Sequence, residues 1–420
     1  MTESLPQLIE DLGIKAKETS FRLARATTKE KNHALEIIAC NLHSQLSDII
    51  EENEKDLEKA KAKGLSSAML DRLTLNEKRV DQMIASIEQI IALPDPVGEI
   101  SHMRVRPNGL RIGQMRVPLG VVGFIYESRP NVTIDAAALC LKAGCAIILR
   151  GGSEAINSNI CLTNLIQQSI KKAGLPPHAV QILHSMDHKA VTLLVQLNKY
   201  LDIIVPRGGR ALIENVTVHA TVPVIKHYDG ICHIFIDQSA NMDMATSIVI
   251  NAKVQRPGVC NALETLLIDI KIADKILFTL SNALKEKKVE LRGCDRARKI
   301  VPELIPAAEK DWTTEYLDLI LSIKIVDNLD EAISHINRYG SSHTDAIITE
   351  NYERAMRFLQ EVDSACVFVN ASTRFSDGFE FGMGAELGIS TDKLHVRGPM
   401  GLADLTCKKY IVLGSGQVRE

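Results

Sequence analysis

The stretch VVGFIYESRPNVTIDAAALCLKAGCAIILRGG (121–152) decides the architecture. An apolar run, VVGFIY (121–126), leads into a helical pattern at 132–142 and then into a second apolar run, CAIILR (145–150). Strand, helix, strand in this rhythm implies a parallel sheet, because parallel neighbours need a crossover between them. The rhythm continues with strands at VQIL (180–183), DIIVP (202–206), VPVIK (222–226) and CHIFID (232–237), and with helices at 157–172, 189–197 and 209–215. Beyond residue 241 it starts again. ETLLID (264–269), LILSIKIV (319–326), DAIIT (345–349) and CVFVN (366–370) read as strands, with helices at 273–287, 329–338 and 352–362. The fold class is therefore α/β, with two doubly wound domains in series.

The flanks differ in texture. Residues 3–92 read as helical throughout. Leu35, Ile38, Leu42, Leu46 and Ile50 form one amphipathic stripe, EENEKDLEKAKAK (51–63) continues it as a solvated charged face, and Gly64 stops it. Thr74 and Glu77 have the spacing of a capping box for the next helix. The proline-rich connector LPDPVGEI (93–100) then gives way to HMRVRPNGLRIGQMRVPLG (102–120), where Asn108-Gly109 between alternating runs signals a hairpin. Its arginines suit a surface reaching to another subunit better than a core. KKYIVLGSG (408–416) reads as one more strand.

Composition excludes several classes. The 420 residues suffice for two or three domains, and 45% hydrophobic with 24% charged residues is ordinary for a globular protein. A net charge of −3 and 4% aromatics give no case for nucleic acid. Nine scattered cysteines without a CxxC pair suit a reducing compartment. No signal peptide and no membrane span are expected, so the location expected is cytoplasmic.

Chemistry concentrates in NAKVQRPGVCNALE (251–264). Cys260 lies four residues after the fixed charge of Arg256, and Pro257-Gly258 breaks regular structure ahead of it. A nearby cation favours the thiolate that attacks carbonyl groups, so Cys260 is the candidate nucleophile. Two strand-end loops, Arg150-Gly151-Gly152-Ser153 and Pro206-Arg207-Gly208-Gly209, each precede a helix and offer N–H groups to a phosphate. Gly382, Gly384 and Gly388 miss the dinucleotide spacing by one residue and follow no strand. His184 and His188 lack a third ligand, and no metal is expected.

Six motifs carry a resemblance: 126–152 and 251–267, which extend two of the stretches quoted above, IVPRGG (204–209), GICHIFID (230–237), VNASTRFSDGFEFGMGAE (369–386) and HVRGPMGL (395–402). In this order they resemble the gamma-glutamyl phosphate reductases (glutamate-5-semialdehyde dehydrogenases), a branch of the aldehyde dehydrogenase superfamily. The resemblance implies NADPH-dependent reduction of L-glutamyl 5-phosphate to L-glutamate 5-semialdehyde in proline biosynthesis, with phosphate released from a Cys260 thioester. It implies an NADPH-binding domain at 1–100 and 117–235 and a catalytic domain at 236–404. The hairpin and tail at 101–116 and 405–420 would serve a homo-oligomer, a dimer or a dimer of dimers. Asn131 and the Cys260 N–H would receive the oxyanion. Arg150, Gly151, Gly152, Ser153, Arg207, Gly208, Gly209 and Glu315 would hold the cofactor, Arg150 favouring a 2′-phosphate. Arg129, Arg256 or Arg397 would take the substrate phosphate. Asn370, Ser372 and Arg374 would take its amino-acid end, with Glu386 for the ammonium and His395 a weaker choice. Hydrolytic relatives carry a water-activating glutamate in a loop that here reads His227-Tyr228-Asp229-Gly230, and His227 receives no role. The substrate would come from a separate glutamate 5-kinase. Another acylating or acyl-phosphate reductase of the superfamily, acting on a related acid, and a catalytically silent partner subunit or scaffold are the competing readings; the intact cysteine loop and both arginine-glycine turns speak against the second.

Overall fold

The computed structural model describes residues 4–185, 187 and 189–419. They form two compact units, Met1–Lys226 with Gly382–Gly388 and Met400–Glu420, and His227–Phe381 with Ile389–Pro399. Among the described residues no helix is long and apolar enough to cross a membrane.

The first unit is built on a four-stranded parallel sheet in the order Val180–Ile182, Ala146–Arg150, Val121–Tyr126, Ile203–Arg207. The strands are buried except at Arg207, which is why they read as apolar runs without alternation. The run 222–226 contributes only one bridge, Val224 to Ile204, instead of the expected strand. Pro223 has no N–H to offer the ladder and supplies only its carbonyl, to the Ile204 N–H at 2.8 Å.

The helical N-terminal region departs from its reading in two places. The expected continuous helix breaks at Gln45 (φ −107°, ψ 23°) into Thr28–Ser44 and Leu46–Ala62. No glycine or proline marks the break. Both helices pack on Ile156–Lys172, and the turn between them lets each do so. The capping box at Thr74 does not form. Asn76 caps helix Glu77–Ala92, accepting from the Arg79 N–H, while the Thr74 hydroxyl donates to the Leu70 carbonyl and closes the preceding helix. Asparagine is at least as good a cap as threonine and stands next to the first helical residue.

The charged run 51–63 also hides a structural carboxylate. Helix Ile156–Lys172 has Ala155 at its N-cap, with no side-chain cap of its own. Asp56, 1% exposed, supplies the cap from the neighbouring helix. Its Oδ1 accepts from the Asn157 N–H and Nδ2, and its Oδ2 from the Ser158 N–H and hydroxyl, at 2.7–3.2 Å. The hairpin Ile100–Val105 and Arg111–Pro118 turns at Gly109 (φ +85°), and its second strand pairs antiparallel with Thr406–Leu413 of the same chain.

The second unit holds a seven-stranded, wholly parallel sheet: Ile305–Pro306, Glu290–Gly293, Ile320–Val326, Leu263–Asp269, Cys232–Ile236, Thr344–Ile348, Cys366–Val369. Cys232–Ile236, placed with the first domain on sequence grounds, pairs with both Leu263–Asp269 and Thr344–Ile348 and so belongs here. Helix Met242–Val254, not recognised in the sequence, leads into the Cys260 loop. Its Val249 and Ala252 pack into the same core as Leu266, Ile268, Leu277 and Ile323.

Asp56→Ala is expected to lower the stability of the first unit by about 2–4 kcal/mol, because it strands buried donors and uncaps a long helix. A shift in the urea midpoint followed by far-ultraviolet circular dichroism measures this, and an unchanged midpoint would refute the capping role.

Candidate active site

The Cys260 loop spans the gap between helix Met242–Val254 and strand Leu263–Asp269. A buried ion pair closes its neck. Lys253 Nζ lies 2.6 Å from Glu264 Oε2, and both side chains are wholly buried. Glu264 Oε1 accepts the Leu317 N–H at 3.2 Å, tying in the segment that carries Glu315. Burial works against both charges, pushing the Glu264 carboxyl up to about 7 and Lys253 down, while each partner's charge opposes the shift in the other.

Gly230 backs the loop from the next strand. A Cβ at Gly230 would fall 2.0 Å from the Cys260 carbonyl oxygen and 2.5 Å from its Cα, so only glycine allows this approach. The Gly230 N–H donates to Glu315 Oε1 at 2.9 Å. Burial raises the Glu315 carboxyl. The Cys232 thiol donates to the Cys260 carbonyl at 3.2 Å.

Arg374 straps the loop from its other side. Its Nε donates to Gln255 Oε1 at 2.8 Å and its Nη1 to Asn261 Oδ1, so one guanidinium holds residues on both sides of Cys260. Asn261 Nδ2 donates to the Ser376 carbonyl at 2.9 Å. Burial first, and the Arg256 charge second, press the Arg374 guanidinium towards neutrality. Ser372 is buried beside it and accepts the Arg374 N–H.

Two imidazoles border the half-buried Cys260. Ligand-capable atoms of Cys260, His227 and His343 all lie within 4.8 Å of one another. His227 Nδ1 stands 2.8 Å from the Ile389 carbonyl, so Nδ1 carries the proton and Nε2 the lone pair. His343 is buried, with Nδ1 2.8 Å from Thr344 Oγ1. Neither histidine had been given a role from the sequence. His343 offers no local signal at all, since only the strand order brings it here.

Other residues of the second unit are committed elsewhere. Asn370 (φ +55°) exchanges two 2.9 Å hydrogen bonds with the Thr349 backbone, stitching the ends of neighbouring strands. Arg397 pairs with Asp363 at 2.8 Å and also donates to its carbonyl, and Lys393 pairs with the same carboxylate. His395 is exposed.

The expected cofactor residues Arg150 to Gly209 lie in the first unit, as do Asn131, Arg129 and Glu386; Glu315 lies in the second. Arg150 is 8% exposed, and among the described residues its Nε has no hydrogen-bond partner. Burial lowers its pKa, opposed by the charges of Glu154 and Glu127. Gly151 and Gly152 are needed for space, since a Cβ would meet Asn159 Nδ2 at 2.1 Å and the Glu154 carboxylate at 2.2 Å respectively. Ser153 opens the short turn Ser153–Ala155. The Gly209 N–H, at the start of helix Arg210–His219, donates to Glu127 Oε2 at 2.9 Å, and a Cβ at Gly208 would lie 2.6 Å from that oxygen. The side chain of Arg207 lies against Gly388. Asn131, the first residue of its helix, donates to Asp135 at 3.3 Å. Arg129 and Glu386 are half-buried. His188, set aside as a metal ligand, lies outside the described residues.

Parallel α/β sheets with a cysteine held ahead of a central strand define the class, and comparison with known proteins agrees. The aldehyde dehydrogenase family model matches residues 20–319 and 305–386. Gamma-glutamyl phosphate reductases from Carboxydothermus hydrogenoformans and Clostridium perfringens are 55% and 56% identical to the chain, each over 97% of it and over 99% and 98% of their own lengths. The crystal structure of gamma-glutamyl phosphate reductase from Thermotoga maritima superposes with a TM-score of 0.97 at 48% identity, covering 98% of this chain and all of that one. The chain belongs to the aldehyde dehydrogenase family, in its gamma-glutamyl phosphate reductase branch, and is an enzyme.

Gly230→Ala is expected to leave the protein folded and to cut kcat/KM by on the order of 10²-fold or more, since its Cβ displaces the Cys260 backbone. Steady-state kinetics beside near-ultraviolet circular dichroism checks this; near-normal kinetics would show that the close approach does not position the nucleophile.

Proposed function

We propose that this enzyme reduces L-glutamyl 5-phosphate to L-glutamate 5-semialdehyde with NADPH, releasing phosphate, with Cys260 carrying the acyl group as a thioester. The observation that carries this is the seat of Cys260, fixed by Gly230, Arg374 and the buried Lys253–Glu264 pair in a chain whose relatives bear that reductase name. In the first half-reaction the Cys260 thiolate forms a C–S bond as the acyl C–O bond to phosphate breaks. Phosphate is a good leaving group, so this step needs oriented N–H donors for the oxyanion more than a strong acid. The Cys260 N–H is assigned that task. NADPH, when bound, supplies the hydride that takes the thioester to the aldehyde level. Collapse of the thiohemiacetal then frees the semialdehyde and restores the thiolate.

The first unit is assigned the cofactor and the second the chemistry. The buried Arg150 Nε, lacking a partner among the described residues, fits the demand for an acceptor such as a ribose phosphate. The start of helix Arg210–His219 already takes one anion, the Glu127 carboxylate, and so suits another in exchange. Arg256 and Arg374 are assigned to the substrate anions. Arg397 and Asn370 are poorer assignments, because their side chains are engaged by Asp363 and Thr349.

The reaction is tested in reverse, with semialdehyde, NADP and phosphate. Turnover is expected to require phosphate and to prefer NADP over NAD. Cys260→Ser should lower kcat by on the order of 10⁴-fold or more. Mass spectrometry of the enzyme quenched during turnover is expected to find the acyl adduct on Cys260; an adduct on another thiol, or turnover indifferent to phosphate, overturns the proposal.

A further inference from the structure

We propose that Cys260, His227 and His343 form an inhibitory site for a borderline-soft divalent cation, zinc above all, which reversibly masks the nucleophile. A thiolate and two neutral imidazoles are a donor set that zinc takes readily, and the absence of a carboxylate in it disfavours magnesium and calcium. The three ligand atoms lie within 4.8 Å of one another. Tetrahedral zinc with bonds of about 2.0–2.3 Å sets its ligand atoms roughly 3.3–3.8 Å apart, so side-chain adjustments of about an ångström bring them to an ion.

The surroundings prepare both histidines. Metal-bound imidazoles commonly hold the correct tautomer by donating the other ring N–H to an oxygen. His227 Nδ1 is placed to do this with the Ile389 carbonyl, and His343 Nδ1 with Thr344 Oγ1, whose own hydrogen goes to Ser376 Oγ. For His227 this tautomer puts the lone pair on Nε2. The three ligands lie in the segments that lead into three adjacent strands, Leu263–Asp269, Cys232–Ile236 and Thr344–Ile348, with His343 next to the first residue of its strand. Cys260 and His227 are half-buried, leaving solvent access for the ion and for a water as fourth ligand.

Binding exchanges the Cys260 S–H bond for a zinc–sulfur bond and releases one proton to solvent, with no change of oxidation state. The bound sulfur cannot attack an acyl group, so the ion acts as a brake and has no part in the reaction. The inference needs only the thiol, whatever acyl group it carries.

The test is cobalt spectroscopy on the full chain with the exposed Cys40 and Cys407 replaced by serine. One equivalent of cobalt is expected to give a thiolate-to-metal charge-transfer band and strong tetrahedral visible bands, both abolished by zinc. Zinc should also protect Cys260 from iodoacetamide. Cys232→Ser should keep the charge-transfer band and Cys260→Ser should remove it. His227→Gln and His343→Gln should each weaken zinc inhibition by more than the roughly 10–100-fold that loss of a supporting hydrogen bond costs. A band that survives Cys260→Ser, or a weak octahedral spectrum in the chain that retains Cys260, overturns the proposal. These spectra are read without turnover, so they decide the site even if a histidine variant fails to fold or the reaction proves to be another.

Discussion

A lysine and a glutamate that never meet water fix where Cys260 stands. Lys253 ends a helix, Glu264 begins a strand, and their 2.6 Å contact draws the intervening loop into a closed neck. Such a pair is a poor source of net stability, because desolvating two charges costs several kcal/mol apiece and their attraction does little more than offset it. Its value is positional. With both partners buried, neither can leave without stranding the other's charge, so the loop has one low-energy closure. Glu264 then extends the constraint through Leu317 to the Glu315 segment, and Glu315 extends it through the Gly230 N–H to the neighbouring strand.

That chain of contacts explains why the site lies where it does. Glu315, Cys260, Gly230 and His343 each come just before a strand, and those four strands are neighbours in the sheet. Their amino ends therefore gather four short connections along one edge of the sheet. Open α/β sheets usually bind ligands outside the carboxyl ends of their strands. In the first unit Arg150 and Arg207 each close a parallel strand, the positions that rule points to. In the second unit Cys260 lies ahead of its strand instead, so a search guided by the rule alone would pass it over.

The central parallel strands were legible because burial on both faces leaves an apolar run, whereas Glu290–Gly293 and Ile305–Pro306, partly or wholly exposed, carry no such run and were not expected. Cys260 stands out in the sequence because its loop carries Arg256, Pro257 and Gly258. The rest depends on distance through space. Lys253 and Glu264 are 11 residues apart, a spacing with no meaning until a helix turns back into a strand. Asp56 sits in a run that reads as a solvated face, and only the packing of Ile156–Lys172 against it reveals a cap. The break at Gln45 carries no breaker residue, and the cap at Asn76 competes with a motif that looks better on paper. His343 needed the sheet order, which no local pattern encodes.

The exchange of a glutamate for His227 follows from the charge of the proposed substrate. An acyl phosphate brings at least one full negative charge to the thiol. At a separation near 5 Å and an effective dielectric of about 20, one further carboxylate would oppose that charge by roughly 3 kcal/mol. It would oppose the thiolate as well. An imidazole whose Nδ1 proton is held by the Ile389 carbonyl fills the space without adding a negative charge. On the proposed reaction, admitting a phosphorylated acid and keeping a thioester from water are both reasons to give the carboxylate up.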